Sequence, residues 1–166
     1  MANATSSVAQ NFEQLSYEGA GLSQHLAKST PIISVAAART LLPKEAGALV
    51  FWDAAAGFTI TLPKPVLGMD FEIGVATSVT SSNHKVITDA ATTFMLGEVF
   101  TYTTATASGA GFAFDGSTHI AAVMNGTTSG GLIGTLLRFR AISTTVWFVT
   151  GVVLGSGTIV TPASTT

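Results

Sequence analysis

The chain has 166 residues, a formal net charge of −2 at pH 7 and no cysteine, so disulfides, thiolate nucleophiles and cysteine-ligated zinc are excluded. Its length is typical of one domain with room for a core, yet only 10% of residues are charged and 47% are hydrophobic, against about 25% charged residues in ordinary soluble domains. The seven Lys and Arg residues are scattered, which argues against a basic surface for nucleic acid.

Residues 1–31 differ in pattern from the rest and predict an extended N-terminal arm. Apolar residues recur there at helical spacings, but two glycines interrupt the pattern. One interpretation is a frayed terminus. The other is an arm that becomes ordered on a partner's surface and buries Phe12, Leu15 and Tyr17 there.

From residue 32 onward, short β-branched and aromatic runs alternate with turn residues at intervals of about 8 to 14 residues, which is typical of an all-β protein. We therefore predict a single β-sandwich or barrel-like domain over residues 32–162, followed by a loose C-terminal tail at 163–166. Alternating apolar and polar residues mark several of its strands. The predicted strands are 32–36, 48–53, 58–62, 71–75, 84–88, 98–102, 111–114, 119–124, 135–142, 144–154 and 158–161.

The connection between the strands at 58–62 and 71–75 is punctuated by prolines. Pro63 and Pro65 have no backbone N–H to donate to a sheet, so they end the first strand and keep the chain extended. Gly68 then permits a turn into the second strand. The segment is interpreted as a connection and not as a proline-rich ligand.

The late strands combine arginines with exposed aromatic character. Arg138 and Arg140 alternate with apolar residues within 135–142, so both arginines are predicted to point away from the core. Trp147 and Phe148 then fall on opposite faces of the next strand, which places one of them on an outer face or in an intersubunit contact. Such a composition is typical of a protein interface; the alternative is a strand that is buried on both faces.

No segment predicts a membrane span or an export signal. The longest apolar run is about residues 46–52, far short of the roughly 18 residues that cross a bilayer. The N-terminal residues lack the basic and apolar regions of a secretory signal. We expect a protein that is made and used without such export.

The histidines and common motifs do not indicate an enzyme. His25, His84 and His119 are far apart in sequence, without the spacing of a metal site, and are predicted to be surface or strand-edge residues. Neither a nucleophile elbow nor a phosphate-binding loop is present.

The acidic residues give only weak indications of chemistry. Asp70 and Glu72 could share a strand face at the separation of a glycosidase pair, but one such pair is expected by chance among nine acids. Asp115 and Asn125 could contribute to a calcium site, although no spaced Asp-rich loop supports one. We therefore expect neither catalysis nor a cofactor nor a bound metal.

Three segments resemble the capsid decoration, or cement, proteins of tailed bacteriophages. They are AGFTITLPKPVLGMDFEIGV, SSNHKVITDAATTFMLGEV and GTTSGGLIGTLLRFRAISTTVWFVTGVV. The shared features are a Thr-alternating strand that ends in Leu-Pro, a glycine turn before an aromatic strand, a KVITD-like strand and a late W-F-V-x-G strand. The resemblance covers about residues 46–162, and similar strand patterns occur in phage tail-fibre domains.

The resemblance implies a homotrimer on the outer surface of an assembled phage head, made in the host cytoplasm and carried on the virion. It would sit at three-fold or quasi-three-fold positions, bind the major capsid protein and stabilise the expanded shell. The arm would contact the capsid, and the arginine-bearing strands would form the trimer interface or outer face. The candidate partner-binding residues are Phe12, Leu15, Tyr17, Arg138, Arg140 and Trp147.

A different class of function stays open at this point. A carbohydrate- or receptor-binding β-module of a phage fibre or adhesin would need an exposed aromatic platform. Exposure of Trp52 or Trp147 in a groove favours that module, whereas burial of both favours the decoration protein.

Overall fold

The structure, a computed structural model, describes residues 30–166. Nearly all of the regular secondary structure in this range is β. A short 3-10 turn at Pro43–Glu45 is the exception. None of the helical structure described in this range is long and apolar enough to cross a membrane. The strands are β1 (Ile32–Val35), β2 (Arg39–Thr40), β3 (Leu49–Trp52), β4 (Thr59–Thr61), β5 (Asp70–Val75), β6 (His84–Ile87), β7 (Phe94–Thr103), β8 (Ser108–Asp115), β9 (Ala121–Met124), β10 (Leu136–Ala141), β11 (Val146–Gly155) and β12 (Ala163–Ser164).

The strands form two sheets that pack face to face, which confirms the predicted all-β sandwich. Sheet A has seven strands in the order β1-β3-β5-β10-β11-β7-β8, and sheet B has five in the order β12-β9-β6-β4-β2. The predicted arm, 1–31, lies almost entirely outside the described residues. The β-domain therefore carries every structural observation that follows.

The first six strands alternate between the two sheets, so neighbours within each sheet are parallel. β1, β3 and β5 pair in parallel in sheet A, and β2, β4 and β6 do so in sheet B. Parallel neighbours require a crossover, and here each crossover is a strand of the opposite sheet. The connection with the buried Pro63 and Pro65 is one of these crossings, from β4 in sheet B to β5 in sheet A.

The core lies between the sheets and is built from the inward side of each alternating strand. Its largest fully buried side chains include Trp52, Phe71, Phe114, Phe139 and Trp147. The rings of Phe71 and Trp147 lie 6.1 Å apart, centroid to centroid, at an interplanar angle of 51°. Burying one large side chain contributes about 1.5–3 kcal/mol to folding, so these residues dominate the stability of the sandwich.

Two predictions about the C-terminal part are wrong. Residues 158–161 are not a strand; the chain bends after β11 and runs irregularly to Pro162. Ala163 and Ser164, predicted within a loose tail, instead pair antiparallel with β9. The reason is a tertiary contact: the Pro162 carbonyl accepts a hydrogen bond from the Val123 N–H at 2.7 Å, which fixes the chain beside the edge of sheet B.

Candidate partner-binding face

The face of sheet A that points away from sheet B carries a row of apolar side chains. The strand register aligns Phe51 with Gly74, Gly74 with Leu136, Leu136 with Val152, and Val152 with Phe100. We call this surface the open face, and the four side chains Phe51, Leu136, Val152 and Phe100 the apolar strip. The last three are exposed and Phe51 is half-buried.

Gly74 makes the apolar strip continuous across β5. A Cβ atom at this position would lie 2.7 Å from Cε1 of Phe51 and 3.5 Å from Cδ1 of Leu136. The missing side chain therefore leaves the space that the Phe51 ring fills. As a result the strip runs from β3 to β7 without a polar side chain in the row.

Beside the apolar strip lies a cluster of four charged side chains on β5 and β10. The Arg138 guanidinium is 3.1 Å from Asp70 Oδ2 and 3.7 Å from Glu72 Oε1. The Arg140 guanidinium lies 3.9 Å from the same Asp70 oxygen. Two positive and two negative charges cancel, so this cluster leaves little net field on the open face.

A second exposed apolar pair adjoins the charged cluster. Phe148 on β11 is aligned with Arg140 on one side and with Leu96 on the other, and both apolar side chains are exposed. Exposed apolar groups interleaved with arginine are typical of protein interfaces. Contiguous exposed apolar surface of this kind marks a binding site more often than scattered single residues do.

The structure places the predicted site residues as follows. Arg138 and Arg140 lie on the open face, as predicted. Trp147 does not: its side chain is fully buried, and Phe148 occupies the outer side of β11. Packing of the larger ring against Phe71 explains this choice, because Trp147 buries more apolar area. The predicted arm contacts Phe12, Leu15 and Tyr17 lie outside the described residues.

His84 is not a surface or edge residue, contrary to the sequence-based expectation. It lies within sheet B between β4 and β9 and is fully buried. Its ring stacks on Trp52 at 4.8 Å and meets Phe58 edge-on at 5.6 Å, both between ring centroids. Burial lowers the pKa of His84 because an apolar environment disfavours the charged imidazolium.

The acidic and amide groups considered for chemistry are engaged in local structure. Asp70 and Glu72 do share a face, but both are ion-paired with Arg138. Hydrogen bonds from the Thr118 hydroxyl and from the Thr118 and Ser117 N–H groups hold the pKa of Asp115 far below its usual range. Asn125 Oδ1 likewise accepts hydrogen bonds from three successive backbone N–H groups of the following turn.

Within residues 30–166 no group of three or more acidic or histidine side chains could hold a metal ion. Asp115 and Asn125 both direct side-chain oxygen atoms to backbone N–H groups of their own turns. On the open face, the carboxylates of Asp70 and Glu72 likewise serve ion pairs. What the arrangement offers is a surface for contact.

The apolar strip was missed by the sequence-based analysis. The sequence predicts one outward aromatic residue in strand 144–154, whereas Val152 is also exposed. The signal was present: apolar residues occupy both alternation classes of β11, which indicates a strand whose two faces are both covered. In this chain sheet B covers the inner face of β11, and the outer face stays exposed.

Comparison with protein-family models, with curated proteins and with solved structures gives no match for this chain. The open face and the chemistry of the chain's own residues are the features that bear on its function.

Proposed function

We propose that this protein is a structural capsid decoration protein, which binds the outer surface of an assembled phage head and stabilises its shell of major capsid protein. The observation that carries the proposal is the open face of sheet A. It combines the exposed apolar strip with a charge-balanced cluster, and it is suited to a flat protein surface. The strand pattern that resembles decoration proteins supports the same function.

Physical chemistry favours a weak contact that is repeated. Three copies around a three-fold axis would engage the shell at three places, and linked weak contacts add to strong retention. A protein that binds only the expanded shell stabilises that state by mass action. The open face supplies apolar area for this binding, and its cluster of two carboxylates and two arginines adds no net charge.

The alternative, a carbohydrate-binding module, would need an exposed aromatic platform, and neither tryptophan supplies one. Trp52 and Trp147 are both fully buried, so neither offers a ring to a sugar. The exposed rings of the open face, Phe100 and Phe148, are phenylalanines, which lack the polar edge that Trp and Tyr bring to such sites. Tyr102, on the same side of β7, is half-buried. The burial of both tryptophans therefore supports the decoration protein.

The test is sedimentation of the purified full chain with phage heads that lack a decoration protein, in expanded and unexpanded forms. We expect the protein to sediment with expanded shells only and to raise the temperature at which they disrupt. A glycan array probed with the same protein should give no signal. Retention on glycans together with indifference to shells would replace the proposal with the carbohydrate-binding module.

A further inference from the structure

Asn125 and Gly126 form a dipeptide that deamidates readily in unfolded chains. Asparagine is a thermolabile residue, and a following glycine has no side chain to hinder attack on the asparagine amide. In the reaction the Gly126 nitrogen gives its proton to solvent base and bonds to Asn125 Cγ, while the bond from Cγ to Nδ2 breaks and ammonia leaves. Water then opens the cyclic imide, so that aspartate or isoaspartate replaces Asn125.

The loop that follows β9 requires a glycine at position 126. Gly126 is buried, its φ is +81°, and a Cβ atom there would lie 2.1 Å from the Val79 carbonyl oxygen. Any other residue would strain the backbone and collide with Val79. The chain therefore cannot remove the reactive dipeptide by changing Gly126 without disturbing this loop.

The side chain of Asn125 is held by the turn that follows it. Its Oδ1 accepts hydrogen bonds from the N–H groups of Thr127 at 3.0 Å, Thr128 at 2.8 Å and Ser129 at 3.1 Å. Its Nδ2 donates to Thr128 Oγ1 at 2.8 Å. These bonds fix the orientation of the side-chain amide, so movement of Cγ toward the Gly126 nitrogen must break them.

The attacking nitrogen is engaged as well. The Gly126 N–H donates to the Gly130 carbonyl at 2.6 Å, within a buried part of the loop. Gly130 in turn lies against β11, where a Cβ atom on it would be 1.8 Å from Cγ1 of Val153. Removal of the Gly126 proton by solvent base therefore requires the loop to open and this hydrogen bond to break.

We propose that Asn125 is a deamidation site that the folded loop keeps closed. The reaction proceeds from the opened loop, so its rate is that of the exposed dipeptide multiplied by the fraction of time that the loop is open. Isoaspartate adds a carbon atom to the backbone before Gly126, which displaces Gly126 from Val79. Chains modified while unfolded should then refold poorly, and unfolding becomes irreversible with time. None of these residues belongs to the open face, so the site is independent of the proposed function.

The three N–H groups on Oδ1 also have an opposite chemical effect. When Cγ is attacked, negative charge develops on this oxygen, and converging N–H groups stabilise such charge as an oxyanion hole does. The Gly126 proton must leave before the attack, however, and its burial and hydrogen bond prevent that step. Control by the proton predicts slower deamidation in the folded protein, whereas control by the oxyanion predicts faster deamidation.

The experiment compares deamidation of the full chain, folded and in denaturant, at the same mildly alkaline pH and temperature. Mass spectrometry of the peptide that contains residue 125 detects the exchange of amide for carboxyl, and chromatography separates isoaspartate. We expect the folded protein to react at least about tenfold more slowly. Hydrogen exchange at the Gly126 amide should be slowed by a similar factor, because the same opening exposes it.

A side-chain variant tests the loop itself. Thr128→Val removes the hydroxyl that accepts from Asn125 Nδ2 and should speed deamidation of the folded protein about threefold, as one lost hydrogen bond predicts. Its rate in denaturant should not change. Thr92→Val, in the exposed turn after β6, should keep the wild-type rate, and equal melting temperatures show that the domain stays folded. A folded wild type that deamidates as fast as the denatured chain, or a folded Thr128→Val with the wild-type rate, overturns the proposal.

Discussion

The two faces of β11 carry similar residues but have different roles. On the inner side Trp147, Val149 and Val153 are buried in the core, while on the outer side Phe148 and Val152 are 40% and 47% exposed. Both sides are apolar, which contributes to the positive mean hydropathy of +0.51. The difference shows that hydropathy identifies apolar strand faces that pack against another surface. The strand register decides whether that surface belongs to this chain or to a partner.

The largest expected effect on stability comes from comparing substitutions on the two faces of β11. Trp147→Ala removes a fully buried ring and should lower the free energy of unfolding by about 3–5 kcal/mol. Phe148→Ala, the next residue, should change it by only about 0.5 kcal/mol, as is usual for a surface position. Urea unfolding of both variants measures this, and similar losses at the two positions would refute the assignment of the faces.

The inner side also depends on the close approach of β7 and β11. Gly97 has φ +136°, and a Cβ atom there would lie 2.1 Å from the Val149 carbonyl oxygen. Gly97→Ala should therefore cost about 2–3 kcal/mol through strain and displaced backbone.

The matched control for this variant is Gly47→Ala. Gly47 has φ +84° but open space around it, so its substitution should cost only the left-handed conformation, about 1–2 kcal/mol. The two denaturation midpoints are compared under the same conditions. An equal cost at both positions would mean that the strand approach is not limiting.

His84 brings a titratable group into the otherwise apolar interior. Since burial lowers its pKa below the unfolded value, the unfolded chain binds a proton first as the pH falls. Stability is then fully present above about pH 6.5 and declines below it, by at most about 1.4 kcal/mol per pH unit.

His84→Phe keeps an aromatic ring against Trp52 but cannot titrate. Between pH 7 and pH 5.5 the wild type should lose about 1 kcal/mol more stability than this variant. Unfolding free energies at the two pH values measure the difference. The same decline in both proteins would show that His84 is not the group responsible.

The smallest effect on stability is expected in the charged cluster of the open face. Arg138 is exposed, and surface ion pairs contribute about 0–1 kcal/mol, so Arg138→Ala should cost less than about 1 kcal/mol. The matched comparison is Arg39→Ala, whose partner Glu45 is more buried and lies 2.6 Å away. Arg39→Ala should cost more, and a reversed order in urea unfolding would contradict this account of the two sites.

Local patterning predicted much of the fold because it reports which side of a strand is covered. The alternation of apolar and polar residues in 58–62 and 71–75 agrees with the burial of Ile60, Phe71 and Ile73 in the core. The outward direction of Arg138 and Arg140 followed from the same period. These features depend on residues close in sequence, so a single sequence contains them.

The remaining features depend on contacts between distant residues. The alternation of the first six strands between sheets is not encoded in any one strand. Burial of His84 follows from its neighbours Trp52 and Phe58, which come from other strands and loops. The apolar strip similarly requires the register that places Val152 beside Leu136 and Phe100. Even the correct strand boundaries would not have supplied these pairings.

The measurement that tests the central claim most directly compares Val152→Lys with Val160→Lys in binding to expanded phage shells. The two valines are 47% and 45% exposed, but only Val152 belongs to the apolar strip. If the open face binds the shell, Val152→Lys should weaken binding at least about tenfold, equivalent to about 1.4 kcal/mol, while Val160→Lys binds like the wild type. Equal binding by the two variants, with both proteins folded, would contradict the claim that the open face is the binding surface.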